Sequence, residues 1–165
     1  MSTRSRSLLF PFVLALVVAG ITAAPATAIV DESSRGRGAR AQAPTRAERA
    51  VKIALGVVGT PYRWGGESPA TGFDCSGLVR WAYGRVGVDL PHSSYALYGE
   101  GRRVSEANME PGDILFFEGL GHVGLYLGNG RMVHSPETGR NVEVVRLTRT
   151  SYGTRLIGVR RVTAV

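Results

Sequence analysis

Along the chain, apolar and polar residues fall into three regimes. Leu8 to Ile21 form one apolar block, broken only by Pro11 and Gly20 and preceded by Arg4 and Arg6. After Val30 and up to Pro44, large apolar side chains almost vanish in favour of Ser, Gly, Arg, Ala and Gln. From Thr45 the pattern becomes periodic. Thr45 and Glu48 have capping-box spacing, and Ala50, Ile53, Ala54, Val57 and Val58 follow at helical intervals, predicting a helix over about 46–58. Gly59-Thr60-Pro61 ends it, and the glycines and proline of 61–72 predict a long constrained loop. Asp74 suits an N-cap, with Leu78, Val79, Ala82 and Val86 on one face, so a second helix is expected to begin at Cys75. A short helix is expected around Ser93–Tyr98.

Beyond Pro111-Gly112 the period changes to alternation. Asp113–Phe117, His122–Leu127, Arg131–Ser135, Val142–Leu147 and Leu156–Val162 read as strands punctuated by Gly, Asn and Pro. Helices followed by an antiparallel meander predict an α+β domain, its N-terminal helices packed on a small antiparallel sheet.

The first regime has the layout of a secretory signal peptide, with Ala26-Thr27-Ala28 as the small-residue cleavage site. Its apolar block is shorter than the roughly 20 residues that span a bilayer. No Cys follows the block to take a lipid. The organisation expected is a signal peptide over 1–28, a flexible linker over 29–44 and one folded domain over 45–165. The linker lacks the apolar surface to offset its chain entropy. Contact with a membrane is then limited to the leader before cleavage, and the mature protein is secreted to the cell envelope.

Composition narrows the function classes. With 165 residues, 44% of them hydrophobic and 20% charged, the chain is not wholly disordered and has room for one modest domain. Its net charge of +7, about +5 without Arg4 and Arg6, is spread out. Only Arg102-Arg103 and Arg160-Arg161 are adjacent, which fits a solvated basic surface and not a nucleic-acid stripe. Arg35, Arg37, Arg40, Arg46 and Arg49 would favour loose attachment to anionic envelope polymers. A single Cys excludes an internal disulfide and a multi-Cys zinc site.

That Cys is the first candidate for chemistry. At a helix N-terminus, free N–H groups and partial positive charge favour a thiolate at Cys75. Ser76 and Gly77 are small enough to leave the first turn open to substrate. The competing readings are a buried structural Cys and an intermolecular disulfide. His122 opens a strand whose Val123, Leu125 and Leu127 face the core, leaving His122 on the other face beside Gly124, where it could act as general base. His134 lies on the next strand. A two-residue Asn129-Gly130 turn puts it opposite Leu125, on the wrong face; a three-residue loop puts it opposite Gly124, next to His122. The catalytic reading therefore requires the longer loop. A Cys/His/His zinc site is the metal alternative. His92 reads as a helix-start or surface residue, Trp81 as packing, and Trp64 as packing or cleft lining.

Five blocks of the sequence together resemble one family. Pro61-Tyr62-Arg63-Trp64-Gly65-Gly66, Phe73-Asp74-Cys75-Ser76-Gly77-Leu78-Val79, Pro111–Phe117, Gly121–Gly128 and Met132-Val133-His134 occur in the order seen in NlpC/P60 cysteine peptidases. The resemblance spans about residues 46–162. It implies a papain-like fold and hydrolysis of peptidoglycan stem peptides, usually between D-glutamate, through its γ-carboxyl, and a diamino acid. It implies Cys75 as nucleophile, His122 as base and His134 as the polar third residue. Tyr62, Asp74 and Ser76 would surround the oxyanion and substrate. No cofactor or metal is required, and the protein is expected to be a monomer. The alternatives are a Cys/His peptidoglycan amidase of different bond specificity and a non-catalytic wall-binding module.

Overall fold

The computed structural model describes residues 43–162. The expected signal peptide, and all of the expected linker except Ala43 and Pro44, lie outside the described residues. The Thr45 hydroxyl accepts from the Glu48 N–H at 3.1 Å and the Glu48 carboxylate from the Thr45 N–H at 2.7 Å, so the capping box is formed. Helix α1 (Arg46–Leu55) grows from it and buries Ala50, Val51 and Ala54. It stops short of Val57 and Val58, because the chain turns at 56–59 to bond Gly59 and Thr60 to Val142.

Residues 61–72 are more than a loop: they hold strand β1 (Glu67–Ser68), paired with β2 (Gly72–Phe73). Asp74 then caps helix α2 (Cys75–Gly84), and Ser93 caps the single turn α3 (Ser94–Leu97). No described helix is long and apolar enough to cross a membrane.

The main sheet contains β3 (Arg102–Arg103), β4 (Ile114–Phe117), β5 (Val123–Gly128), β6 (Arg131–His134), β7 (Glu143–Arg146) and β8 (Leu156–Arg161). Its order is β3-β8-β4-β5-β6-β7, antiparallel throughout. It is not a simple meander. After a short helix, α4 (Tyr152–Arg155), β8 returns beside β4. The Arg161 guanidinium secures that return by gripping the buried Asp113 carboxylate, Nε to Oδ1 at 2.7 Å and Nη2 to Oδ2 at 2.8 Å.

One face of the sheet, through Ile114, Phe116, Val123, Leu125 and Val133, packs on α1 and α2. The other is covered as well. Leu115, Phe117, Tyr126, Met132 and Val159 form a second, smaller cluster there. That second layer explains why β4 is apolar at every position, as in sheets buried on both faces.

The β5–β6 hairpin corrects one expectation. Its turn is the two-residue Asn129-Gly130, with φ of 53° and 66° and Gly128 paired to Arg131. These positive φ values fit a primed hairpin turn. A register shift between Tyr126 and Gly128 leaves Leu127 unpaired, and the ladder resumes as Tyr126 to Met132 and Leu125 to Val133. The bulge cancels the short turn. Continued one step, this register sets His134 opposite Gly124, the placement that the catalytic reading requires.

Candidate active site

Asp74 builds the helix side of the site. Its Oδ1 accepts the Gly77 N–H at 2.7 Å and the Ser76 hydroxyl at 3.1 Å, and its Oδ2 accepts the Gly65 N–H at 2.9 Å. His92 Nε2 lies 3.0 Å from both oxygens. His92 Nδ1 lies 3.3 Å from Glu67, which also binds Arg80. Asp74 and Ser76 therefore line the cavity with their polar atoms engaged by the protein. Gly77 is not small to leave the turn open. A Cβ there would overlap the Gly66 carbonyl oxygen and meet His92 Nε2 at 2.9 Å, so glycine lets the loop close on the helix.

Cys75, partly buried at the first position of α2, faces an enclosed environment that raises its thiol pKa. Burial is the largest cause. The N–H groups of Val123, Ser76 and Cys75 itself act against it, and the nearby Asp74 charge adds to it. Tyr62 lines the same cavity and has its phenol pKa raised, first by burial and then by Cys75 and Asp74. Its backbone N–H bonds to Arg140, which fixes the Tyr62 segment beside the loop leading to β7.

The sheet side carries the two histidines. His122 Nε2 and His134 Nδ1 are 2.8 Å apart. His134 is 0% exposed. Burial, then His134, then Arg155 lower the His122 pKa to about 3; burial, then Arg140, lower that of His134 to about 4. Ser135, next to His134, donates its hydroxyl to the Phe73 carbonyl at 2.6 Å and so ties this strand to the residue two before Cys75. Tyr152 of α4 stacks on His122 with centroids 5.2 Å apart and meets His134 edge-on at 5.0 Å.

Cys75 and His122 line one cavity of about 560 Å³, the size of a small-ligand site. Tyr62, Trp64, His92 and Pro136 share its walls, and Trp64, 89% exposed, stands at the mouth. Trp81 instead packs against Phe73. Among the described residues, no three His, Cys, Asp or Glu side chains converge as a metal site. All six sequence-selected residues are thus within or against one site. His92, expected as a helix-start or surface residue, stands in the wall bonded to Asp74, and Glu143 and Tyr152 pack against the histidine pair. His92 and Tyr152 reach the site through tertiary packing alone, whereas Glu143 is the cross-strand partner of His134 and could be found from the β6–β7 register.

A thiol at a helix N-terminus and a histidine pair on an antiparallel sheet define a papain-like α+β domain. Residues 59–161 match the NlpC/P60 family, and the chain belongs to that family. It is 51% identical over 96 residues to a protein of Mycobacterium tuberculosis named a probable endopeptidase, covering 58% of this chain and 25% of that one. It is 44% identical over 98 residues to the bifunctional muramidase/DL-endopeptidase CwlT of Bacillus subtilis, covering 56% and 30%. Among solved structures, an NlpC/P60 family protein from Bacillus cereus superposes with a TM-score of 0.67 at 33% identity, covering 72% of this chain and 40% of that one. The chain spans a quarter to a third of the length of these two relatives.

Proposed function

We propose that this chain is an exported thiol endopeptidase that cuts peptidoglycan stem peptides between D-glutamate, through its γ-carboxyl, and the following diamino acid. His122, which shares a cavity with Cys75 and is held from behind by His134 at 2.8 Å, carries the reading. The DL-endopeptidase name of the Bacillus subtilis relative supports the choice of bond, and the sequence of residues 1–28 supports export.

His122 Nε2 is held by His134, so Nδ1 takes the thiol proton. Burial disfavours a charge on either group alone, with the thiol raised and the imidazole lowered. Moving the proton creates both charges together, each offsetting the other, while the Val123, Ser76 and Cys75 N–H groups receive the thiolate. Sulfur attacks the γ-glutamyl carbonyl carbon, and the oxyanion is held by the Cys75 N–H and the Tyr62 hydroxyl. His122 gives its proton to the departing amine, leaving a thioester on Cys75. Water then loses a proton to His122 and attacks the thioester, and the thiol recovers that proton as the acid leaves. Asp74 and Ser76 contribute by fixing the first turn of α2, and Trp64 offers a flat apolar face to the incoming stem peptide.

Mass spectrometry of purified muropeptides digested under reducing conditions tests this. Products with a new amino terminus on the diamino acid are expected, and none with Cys75→Ala. Intact γ-glutamyl bonds would overturn the reading, and cleavage next to the lactyl group would reassign the protein to the amidases.

A further inference from the structure

The relay does not end at His134. If His122 turns Nδ1 to the thiol, its Nε2 carries a hydrogen and donates to His134 Nδ1. His134 must then be the neutral tautomer protonated at Nε2. Nothing in the His122 contact alone enforces that tautomer. A His134 protonated at Nδ1 would present hydrogen against hydrogen and turn the base away.

Glu143 lies where it can enforce it. It is the direct cross-strand partner of His134 between β6 and β7, so the two side chains share one face of the sheet. His134 Nε2 is fully buried and makes no hydrogen bond, yet Glu143 Oε1 is 3.3 Å away. The oxygen lies close to Nε2 but out of line with its N–H direction, so a shift of the Glu143 carboxylate into that line would close the bond. The same Oε1 is bound by Arg140, which holds the carboxylate on the His134 side of β7.

We propose that Glu143 is a positioning residue for His122: its carboxylate accepts the Nε2 hydrogen of His134 and thereby fixes the tautomer that His122 needs. This rests on the peptidase reading above. When His122 becomes an imidazolium, its stronger donation to His134 polarises the Nε2 hydrogen towards Glu143, and no proton moves to the carboxylate. Apo contacts of this kind commonly tighten in the substrate complex.

The groups facing the pair are Tyr152 from α4, Arg155 at its end, Arg140 in the loop before β7, Glu143 at the start of β7, and Cys75 on α2. Arg155 disfavours charge on His122 and Arg140 on His134, and Glu143 is the carboxylate within reach of His134 Nε2.

The test compares Glu143→Leu, which removes the acceptor, with Glu143→Gln, whose amide oxygen still accepts. Glu143→Leu should lower kcat for muropeptides by about 10- to 100-fold with KM changed less than about threefold, the range by which losing the acceptor behind a metal-ligating histidine lowers activity. Glu143→Gln should recover most of that loss. In ¹⁵N spectra of the resting protein, His134 should be protonated at Nε2 in wild type and Glu143→Gln and mixed in Glu143→Leu. An unchanged tautomer and kcat in Glu143→Leu would overturn the proposal. So would equal losses in both variants that track a fall in thermal stability. A wild-type protein that leaves muropeptides intact, but whose His134 tautomer shifts in Glu143→Leu, would fault the peptidase reading and uphold the tautomer assignment.

Discussion

Two histidine–carboxylate clusters flank the cavity, and they are built to opposite standards. On the helix side, His92 bonds both oxygens of Asp74, which also take three further donors from Gly65, Ser76 and Gly77. On the sheet side, His122 and His134 bond each other, and the buried Nε2 of His134 is left without a hydrogen bond. A saturated cluster has nothing to gain from a substrate and serves as frame. An incomplete buried one costs stability, because an unpaired polar atom away from water is expensive, and such a cost persists where chemistry uses it. The difference separates two histidines that composition alone would treat alike.

The largest expected effect comes from removing one histidine from each cluster. His122→Ala should lower kcat roughly 10³-fold or more, the scale on which members of a nucleophile–base unit fail, far beyond what the loss of about 1–3 kcal/mol of stability from orphaning His134 Nδ1 would explain. His92→Ala should cost stability alone. It leaves Asp74 with its three remaining donors, costs about 1–3 kcal/mol for a lost charge-assisted bond, and spares kcat to within about threefold. Muropeptide turnover set beside thermal unfolding separates the two. A His92→Ala protein that is stable but inactive would collapse the distinction.

A smaller contrast is available in two glycines, one per cluster. Alanine at Gly77 would overlap the Gly66 carbonyl, and neither backbone can yield cheaply. Gly77→Ala should therefore destabilise the fold by about 3 kcal/mol, at the upper end for overpacking. Alanine at Gly124 meets Met132 Sδ at 3.0 Å, the Val133 carbonyl at 3.1 Å and His134 Cβ at 3.2 Å. The sulfur can move and the carbonyl is bound in the sheet, so His134 takes up the rest. Gly124→Ala should cost only about 1 kcal/mol in stability but about tenfold in kcat, since small displacements of reacting groups are amplified. Equal ratios of activity to stability loss in the two variants would count against the comparison.

How much of this was legible in the sequence depends on how far apart the partners lie. The Thr45 capping box, the Asp74 cap and the placement of Cys75 on the first turn of α2 are local, and the spacing of a few residues settled them. His122 and His134 were reachable through strand alternation. The way they come into register was not, because Gly128-Asn129-Gly130 is compatible with either turn, and the short turn it forms is offset by a bulge at Leu127 that no local pattern marks. Strand β3 was missed because Arg102-Arg103 has no apolar alternation; it exists through backbone pairing with Arg161 and Arg160. His92 meets Asp74 across 18 residues of chain, and Tyr152 arrives on a four-residue helix with no periodic signal. Ser76 and Gly77 show a subtler limit. Their smallness was evident, but it serves the closure of Gly66 and the Asp74 bond more than access for substrate.

The most gradual effect concerns pH and follows from the incomplete cluster. Burial first, then neighbouring positive charge, lower His122 from its ordinary 6.5 to about 3 and His134 to about 4. Between those values and 6.5 the unfolded chain binds protons at these two positions and the folded chain does not. Stability contributed by the neutral pair is therefore complete above about pH 6.5 and is lost as pH falls towards 4. Each histidine should account for about 1–2 kcal/mol between pH 7 and 5, seen as a falling urea midpoint at constant m-value. Replacing both with Gln and Asn should flatten that slope. The slope and the unsatisfied Nε2 of His134 have one origin, a histidine pair kept neutral and dry behind the thiol. A slope that survives the double replacement would assign the proton uptake to other groups and remove burial as the reason the pair is poised.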